Sequence, residues 1–243
     1  NRFIEEILKK DCRNKYTITV FCEEKNTAYD RESLSSYFDG KTKEELSLVP
    51  KGYYKDNGIE VFIGERAASI DIKSKMVKSS EGREIYYDTL VFATGSYPFV
   101  PPIQGSKQFY FDGYQAFKCG DHKEFVHVYR TIDDLDAIKI SANQSKIGAV
   151  LGGGLLGLEC ANALKNLGLK THVVDRGPTL MGVQIDAQAG DVLRNKIEQL
   201  GVEVHTNKNT KKISPGKGAR YKLQFDDGTS LETDMLVFSV GIR

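Results

Sequence analysis

Cysteine is scarce in this chain and is never paired in a motif. The four present, Cys12, Cys22, Cys119 and Cys160, are far apart, and none forms C-x-x-C. That pattern reads as free thiols in a reducing cytosol. It argues against a redox-active dithiol, and against a zinc or iron–sulfur centre built from these cysteines, so no metal site is expected. No apolar run approaches the length needed to span a bilayer. The chain opens on a charged amphipathic segment rather than a signal peptide. Lys and Arg total 34 against 33 Asp and Glu, a net charge of +1. No basic field therefore points to nucleic acid or to a membrane surface. Position 1 is Asn rather than Met, which reads as a fragment or a processed chain. A cytoplasmic protein without nucleic-acid or membrane partners is the expectation.

What is present is an ordinary globular composition of 40% hydrophobic and 28% charged residues over 243 positions. That length can bury a real core and suits one large domain or two small ones. Phe3, Ile4, Ile7 and Leu8 at helical spacing read as the end of an amphipathic helix. Residues 16–21 and 59–63 read as strands, with further strands at about 69–78 and 83–87. Residues 25–58 are mixed, with short helical patches. The apolar run 90–93 reads as a strand buried on both faces. Residues 97–128 are rich in proline and aromatics and read as a loop-rich connection. Thr131 followed by Asp134 reads as a helix start. Beyond it the pattern predicts strands at 147–151, 171–174, 202–205, 221–225 and 236–240. Helices are predicted from the glycine cluster to Leu167 and over 186–200. The second helix would present Ala189, Val192, Leu193, Ile197 and Leu200 on one face.

An internal repeat supports two copies of one architecture. Residues 88–95 and 234–241 both read D-x-L-V-F-x-x-G. Residues 58–61, Gly-Ile-Glu-Val, match 201–204, Gly-Val-Glu-Val, in the same order along the chain.

Residues 152–157, Gly-Gly-Gly-Leu-Leu-Gly, satisfy G-x-G-x-x-G between a predicted strand and a predicted helix. Gly152 would allow the tight turn, Gly154 the approach of a pyrophosphate, and Gly157 close helix–strand packing. The helix N-terminus would offer N–H groups and a positive dipole end to phosphates. Asp175, at the end of the next strand, has the spacing to reach an adenosine ribose. A carboxylate there favours NADH over NADPH, because a 2′-phosphate would face its charge. Arg176 could offset this in part, so NADPH stays open. Gly152 precedes Asp175 by 23 positions; the same count back from Glu23, the corresponding acid of the first copy, reaches the position before Asn1. A first fingerprint is thus expected just upstream, with the first domain incomplete and Val91 short of a partner strand. Such a chain should bind NADH far better than FAD.

The order of these motifs resembles the two-dinucleotide-domain flavoproteins of the glutathione-reductase superfamily. More closely it resembles the N-terminal part of the large subunits of NAD(P)H-dependent assimilatory nitrite reductases. The stretches that carry the resemblance are 18–24, 28–31 with 34–38, 93–102, 128–138, 152–159 and 238–243. It implies an α/β fold with two Rossmann-like FAD/NAD(P)-binding domains of the pyridine nucleotide-disulfide reductase type, the first truncated at its N-terminus. The expected division is an FAD-binding domain at 1–127, with an insertion at about 106–127, and an NAD(P)H-binding domain at 128–243. Cys119 and His122 in the insertion are expected to be loop residues rather than ligands.

The resemblance also assigns residues. Glu23 would hold the FAD ribose, Arg31 would lie against FAD, Ala67 would contact adenine, and Thr94 and Gly95 would pass close to the cofactor. On the nicotinamide side, Thr210 would be the counterpart of Ala67, Glu159 would sit near the nicotinamide and flavin faces, and Gly241 would approach NADH. Where ferredoxin and rubredoxin reductases often carry Lys, this chain has Ser36. The implied chemistry is hydride transfer from NADH to FAD, with electrons passed to a downstream acceptor domain or protein. In the nitrite reductases that acceptor comprises iron–sulfur and sirohaem centres, which would lie outside this chain. A homodimer is left open. The alternatives are another reductase of this architecture, such as a rubredoxin reductase or NADH oxidase, or a nucleotide-binding redox sensor like the apoptosis-inducing-factor group. The near-neutral charge argues against the sensor.

Overall fold

The computed structural model describes residues 1–10, 15–106 and 125–243. The chain divides into two compact units, Asn1–Thr94 and Gly95–Arg243. The boundary expected at 127/128 lies further along the chain. Most of the expected insertion, with Cys119 and His122, falls outside the described residues, as does Cys12.

Unit 1 begins with α1 (Arg2–Lys9), which buries Ile4. Strand β1 (Thr19–Cys22) pairs in parallel with β2 (Glu60–Ile63), Thr19 opposite Glu60. The connection between them carries a 3₁₀ turn at Leu34–Tyr37 and two single-turn helices, α2 (Lys43–Leu46) and α3 (Tyr53–Asp56). Thr42 starts α2 with a reciprocal capping box to Glu45. A three-stranded antiparallel meander follows: β3 (Ala67–Asp71), β4 (Met76–Ser79) and β5 (Glu84–Tyr86). The expected strand at 69–78 is therefore a hairpin. Asp71 Oδ1 accepts from the N–H groups of Lys73 and Ser74, and Lys75 adopts φ +49°, so the chain reverses between them. Glu65 is buried beneath the meander, held by the Ser79 hydroxyl and the Arg83 guanidinium.

The run 90–93 is not a strand. Val91 and Phe92 are 49% and 69% exposed. Among the described residues the parallel sheet of unit 1 consists of β1 and β2 alone. No ladder receives this segment, so its composition cannot express itself as a buried strand.

Unit 2 is built on a five-stranded parallel sheet in the order β6-β13-β7-β8-β9. The strands are β6 (Val126–Val128), β7 (Ile147–Leu151), β8 (Lys170–Val174), β9 (Val202–His205) and β13 (Met235–Phe238). Each parallel connection needs a crossover; helices supply three of them, and an antiparallel meander supplies the one from β9 to β13. Helix α4 (Ile132–Ala142) packs on β6, α5 (Leu155–Asn166) on β7 and β8, and α6 (Ala187–Gln199) on β9. Strand alternation separates the two faces. Ala149, Leu151, Val174, Leu236 and Phe238 share a core with Ile213, Leu223 and Phe225. The last three come from an antiparallel meander, β10 (Thr210–Pro215), β11 (Tyr221–Phe225) and β12 (Ser230–Thr233).

Helix starts follow local chemistry. Thr131 and Asp134 form the capping box of α4, and Asp186 Oδ1 caps α6 at Ala189 N–H. The buried stripe of α6 differs from the expected one. Gly190, Leu193 and Ile197 turn inward, while Ala189, Val192 and Leu200 are exposed. Gly190 lies so close to Thr179 that a Cβ would meet its Oγ1 at 1.7 Å. That close approach rotates the helix away from the purely apolar reading. The segment 97–104 is not a free loop. Tyr97 and Phe99 pair with Arg243 and Gly241, and Gln104 pairs beside β10.

Both units run parallel strand pair, then antiparallel meander. Ala67 and Thr210 are the first residues of their meanders, and Glu23 and Asp175 each follow the last residue of the parallel strand before them. The repeat seen in sequence is therefore also a repeat of secondary structure, except at 90–93.

Candidate functional site

The β7–α5 turn is the centre of the site. Strand β7 ends at Leu151, and Gly152 takes φ +115°, a conformation L side chains rarely adopt. A Cβ there would also sit 2.2 Å from Ser239 O, on the segment following β13. Gly157, in the first turn of α5, faces the same constraint: its Cβ would meet Gly152 O at 2.0 Å. Gly154 differs, with nothing within 4 Å of its would-be Cβ. Two glycines thus permit backbone packing and the third leaves an open space. No side chain caps α5, and no acid sits in its first turn. Its leading N–H groups and positive dipole end form a binding place for an anion.

Asp175 follows β8 directly and reaches back to this turn. Its Oδ2 accepts from Gly153 N–H at 2.6 Å and its Oδ1 accepts from Gly177 N–H at 2.6 Å. The carboxylate is therefore fixed by two charge-assisted bonds, yet each oxygen keeps acceptor capacity for a hydroxyl. The surrounding backbone is pinned too. Asp175 N–H donates to His205 O, Lys208 N–H to Asp175 O, Met181 N–H to Gly153 O, and Asn207 N–H to Gly177 O. Gly153 and Gly177 were not singled out from sequence. Their spacing to Asp175 was visible, but the reach of the side chain was not.

The other expected residues are placed as follows. Glu159 is partly exposed on α5, one turn from its start. Gly241 takes φ +117°, and its carbonyl accepts from Phe99 N–H at 2.9 Å. Thr210 opens β10 and is partly exposed. Glu23 is exposed just beyond β1. The guanidinium of Arg31 lies over the Tyr29 ring and is paired with Glu24. Ala67 is exposed and opens β3 opposite Ser79. Thr94 and Gly95 are both exposed, with Gly95 at φ +64°. The geometry brings Gly152, Gly154, Gly157 and Asp175 together in unit 2.

Two thiols lie among the described residues, Cys22 partly buried and Cys160 fully buried in α5. Burial pushes both thiols above their ordinary value, Cys160 strongly. Neither is a ready nucleophile.

The chain is similar to known proteins over its whole length. The chain is 52% identical to the nitrite reductase (NADH) large subunit of Escherichia coli (strain K12), over 100% of this chain and 27% of that protein. It is 48% identical to the nitrite reductase [NAD(P)H] large subunit of Klebsiella oxytoca, over 100% of this chain and 24% of that one. The chain thus spans about a quarter of the length of these relatives. Among solved structures, the water-forming NADH oxidase of Lactobacillus brevis superposes with a TM-score of 0.83 at 21% identity, covering 99% of this chain and 51% of that one. That likeness shows the fold. Residues 6–243 match the family described as pyridine nucleotide-disulphide oxidoreductase, and the chain belongs to it.

Proposed function

We propose that this chain is the electron-input module of a nitrite reductase large subunit, binding NAD(P)H in unit 2 and FAD through unit 1. The observation that carries the nucleotide half is the fixed Asp175 carboxylate beside an uncapped helix N-terminus and an open Gly154. A pyrophosphate fits the first-turn N–H groups of α5, and the adenosine ribose fits Asp175. The carboxylate would repel a 2′-phosphate, so NADH is the preferred donor. Thr210, at the head of β10, and Gly241, with its left-handed backbone, are assigned to the rest of the dinucleotide. Glu159 is assigned to the nicotinamide side.

The residues of unit 1 fit the adenosine end of FAD. Glu23 is exposed beyond β1 as Asp175 lies beyond β8, and Ala67 heads its meander as Thr210 does. Arg31, Thr94 and Gly95 are assigned to the same cofactor. The sequence holds one G-x-G-x-x-G, at 152–157, so no second cradle of that type for the FAD pyrophosphate lies within these residues. Bound FAD would supply a hydride acceptor for NADH and an outlet for single electrons. The residues of this chain bind and orient. Identities of 52% and 48% over the whole of this chain to nitrite reductase large subunits support iron–sulfur and sirohaem centres elsewhere in the protein as the next acceptors.

Titration of the purified chain with NADH and NADPH, followed by the nucleotide's own fluorescence, tests the reading. Saturable binding that is tighter for NADH is expected. Absence of saturable binding by either nucleotide would overturn it.

A further inference from the structure

Away from the glycine turn, three side chains converge at the β8–β9 edge of the sheet, His172 buried, His205 partly buried and Glu203 exposed. His172 lies in β8 and faces its direct register partner Glu203 in β9, while His205 stands two residues further along β9. The period-2 alternation puts all three on one face, with Val202 and Val204 buried on the other. His172 Nδ1 is 3.0 Å from His205 Nε2 and 3.3 Å from Glu203 Oε2. The three donor atoms lie within 4.8 Å of one another. Among the described residues this is the one group of three such donors.

We propose that His172, Glu203 and His205 bind a divalent cation of the zinc class, with water completing the coordination. The donor set is two imidazoles and a carboxylate, a combination zinc accepts with one position left open. Tetrahedral bonds of about 2.0–2.1 Å separate neighbouring ligands by about 3.3 Å, close to the two short separations here. Glu203 keeps its other oxygen for Lys170, 2.9 Å away, so the carboxylate is already oriented on the side away from the cluster. Two ring nitrogens aimed at each other share at most one proton, and a cation between them satisfies both lone pairs.

The ladder makes the site rigid. His172 and Glu203 are fixed by register, and His205 lends its carbonyl to Asp175 N–H at 2.8 Å. A bound cation would therefore clamp the ends of β8 and β9, where the ribose carboxylate begins. The ion is a structural clamp, and its binding does not depend on the nucleotide reading.

The test uses the purified 243-residue chain, stripped with chelator and titrated calorimetrically with Zn²⁺ alone. A parallel titration with Co²⁺ reads the visible bands of a four-coordinate site. One equivalent per chain is expected. Glu203→Gln and His205→Ala, both on the open strand edge, should each weaken binding by at least about tenfold, since loss even of a partner that merely orients a ligand costs about 10–100-fold. Glu198→Gln, on the neighbouring helix, should bind as wild type does. Circular dichroism of each variant separates loss of a ligand from loss of fold, and Glu203→Gln retains the shape of the side chain. No one-to-one binding at micromolar Zn²⁺, or equal binding by wild type and both folded variants, would overturn the proposal.

Discussion

Replacing Asp175 by Ala removes one carboxylate but two kinds of interaction. In the free protein it breaks the 2.6 Å bonds from Gly153 N–H and Gly177 N–H. In the complex it also removes the acceptors proposed for the ribose hydroxyls. Charged hydrogen bonds of this sort contribute about 1–3 kcal/mol to binding, so NADH affinity should fall about 5- to 150-fold. The two origins separate through the second nucleotide. Loss of the ribose contact penalises NADH alone, because the 2′-phosphate of NADPH gains relief from a repelling charge. Loosening of the glycine turn penalises both equally, because both share the pyrophosphate. Fluorescence titration of NADH and NADPH against wild type and Asp175→Ala reads both effects at once. A narrowed gap between the nucleotides is expected. An equal loss for both would show that Asp175 only braces the turn, and unchanged affinities would remove it from the site.

Two glycines of the turn should respond in opposite ways. Gly157→Ala forces a Cβ to 2.0 Å from a backbone carbonyl and should lower stability by about 1–3 kcal/mol, seen as a lower Tm. Gly154→Ala enters open space at an ordinary φ of −82° and should cost about 1 kcal/mol of stability or less while weakening NADH binding. A large Tm loss in Gly154→Ala with wild-type NADH affinity would contradict the division of roles. Thr131→Ala removes the hydroxyl that accepts from Asp134 N–H, one half of the α4 capping box, and should destabilise unit 2 by about 0.5–2 kcal/mol in denaturant unfolding. Burial and a raised thiol pKa should keep Cys160 from alkylation by iodoacetamide at pH 8 until the chain is unfolded. Rapid labelling of native Cys160, mapped by peptide mass, would show that α5 opens.

Most of unit 2 was legible because its signals are local. A strand, the three fingerprint glycines, a helix and an acid occupy 29 consecutive positions, 147–175, and each obeys a rule of its own. The cap at Thr131 was legible for the same reason. What escaped depends on partners distant in sequence. The 90–93 run is composed like a buried strand, but strand formation needs a neighbour to pair with, and composition does not supply one. The hairpin inside 69–78 was hidden by continuous strand-like composition, although Asp71 was the turn-forming residue to weigh. Strand β6 was missed because three residues bordered by aromatics show no period.

The contrast between Asp175 and the His172 cluster marks where such reading stops. Asp175 was singled out because dinucleotide sites place an acid a fixed distance after a glycine turn, and spacing alone anticipates its place beside that turn, where it contacts Gly153. His172 and His205 are 33 positions apart, and their meeting depends on which residue of β8 stands opposite which residue of β9. A slip of one position would carry Glu203 and His205 to the opposite face. Yet part of the signal was present: Glu203-x-His205 alternates on a strand, with the acid and the imidazole on the side opposite Val202 and Val204. An alternating strand that turns donors outward at a sheet edge asks for a third donor on its neighbour, and only the register says that His172 is there.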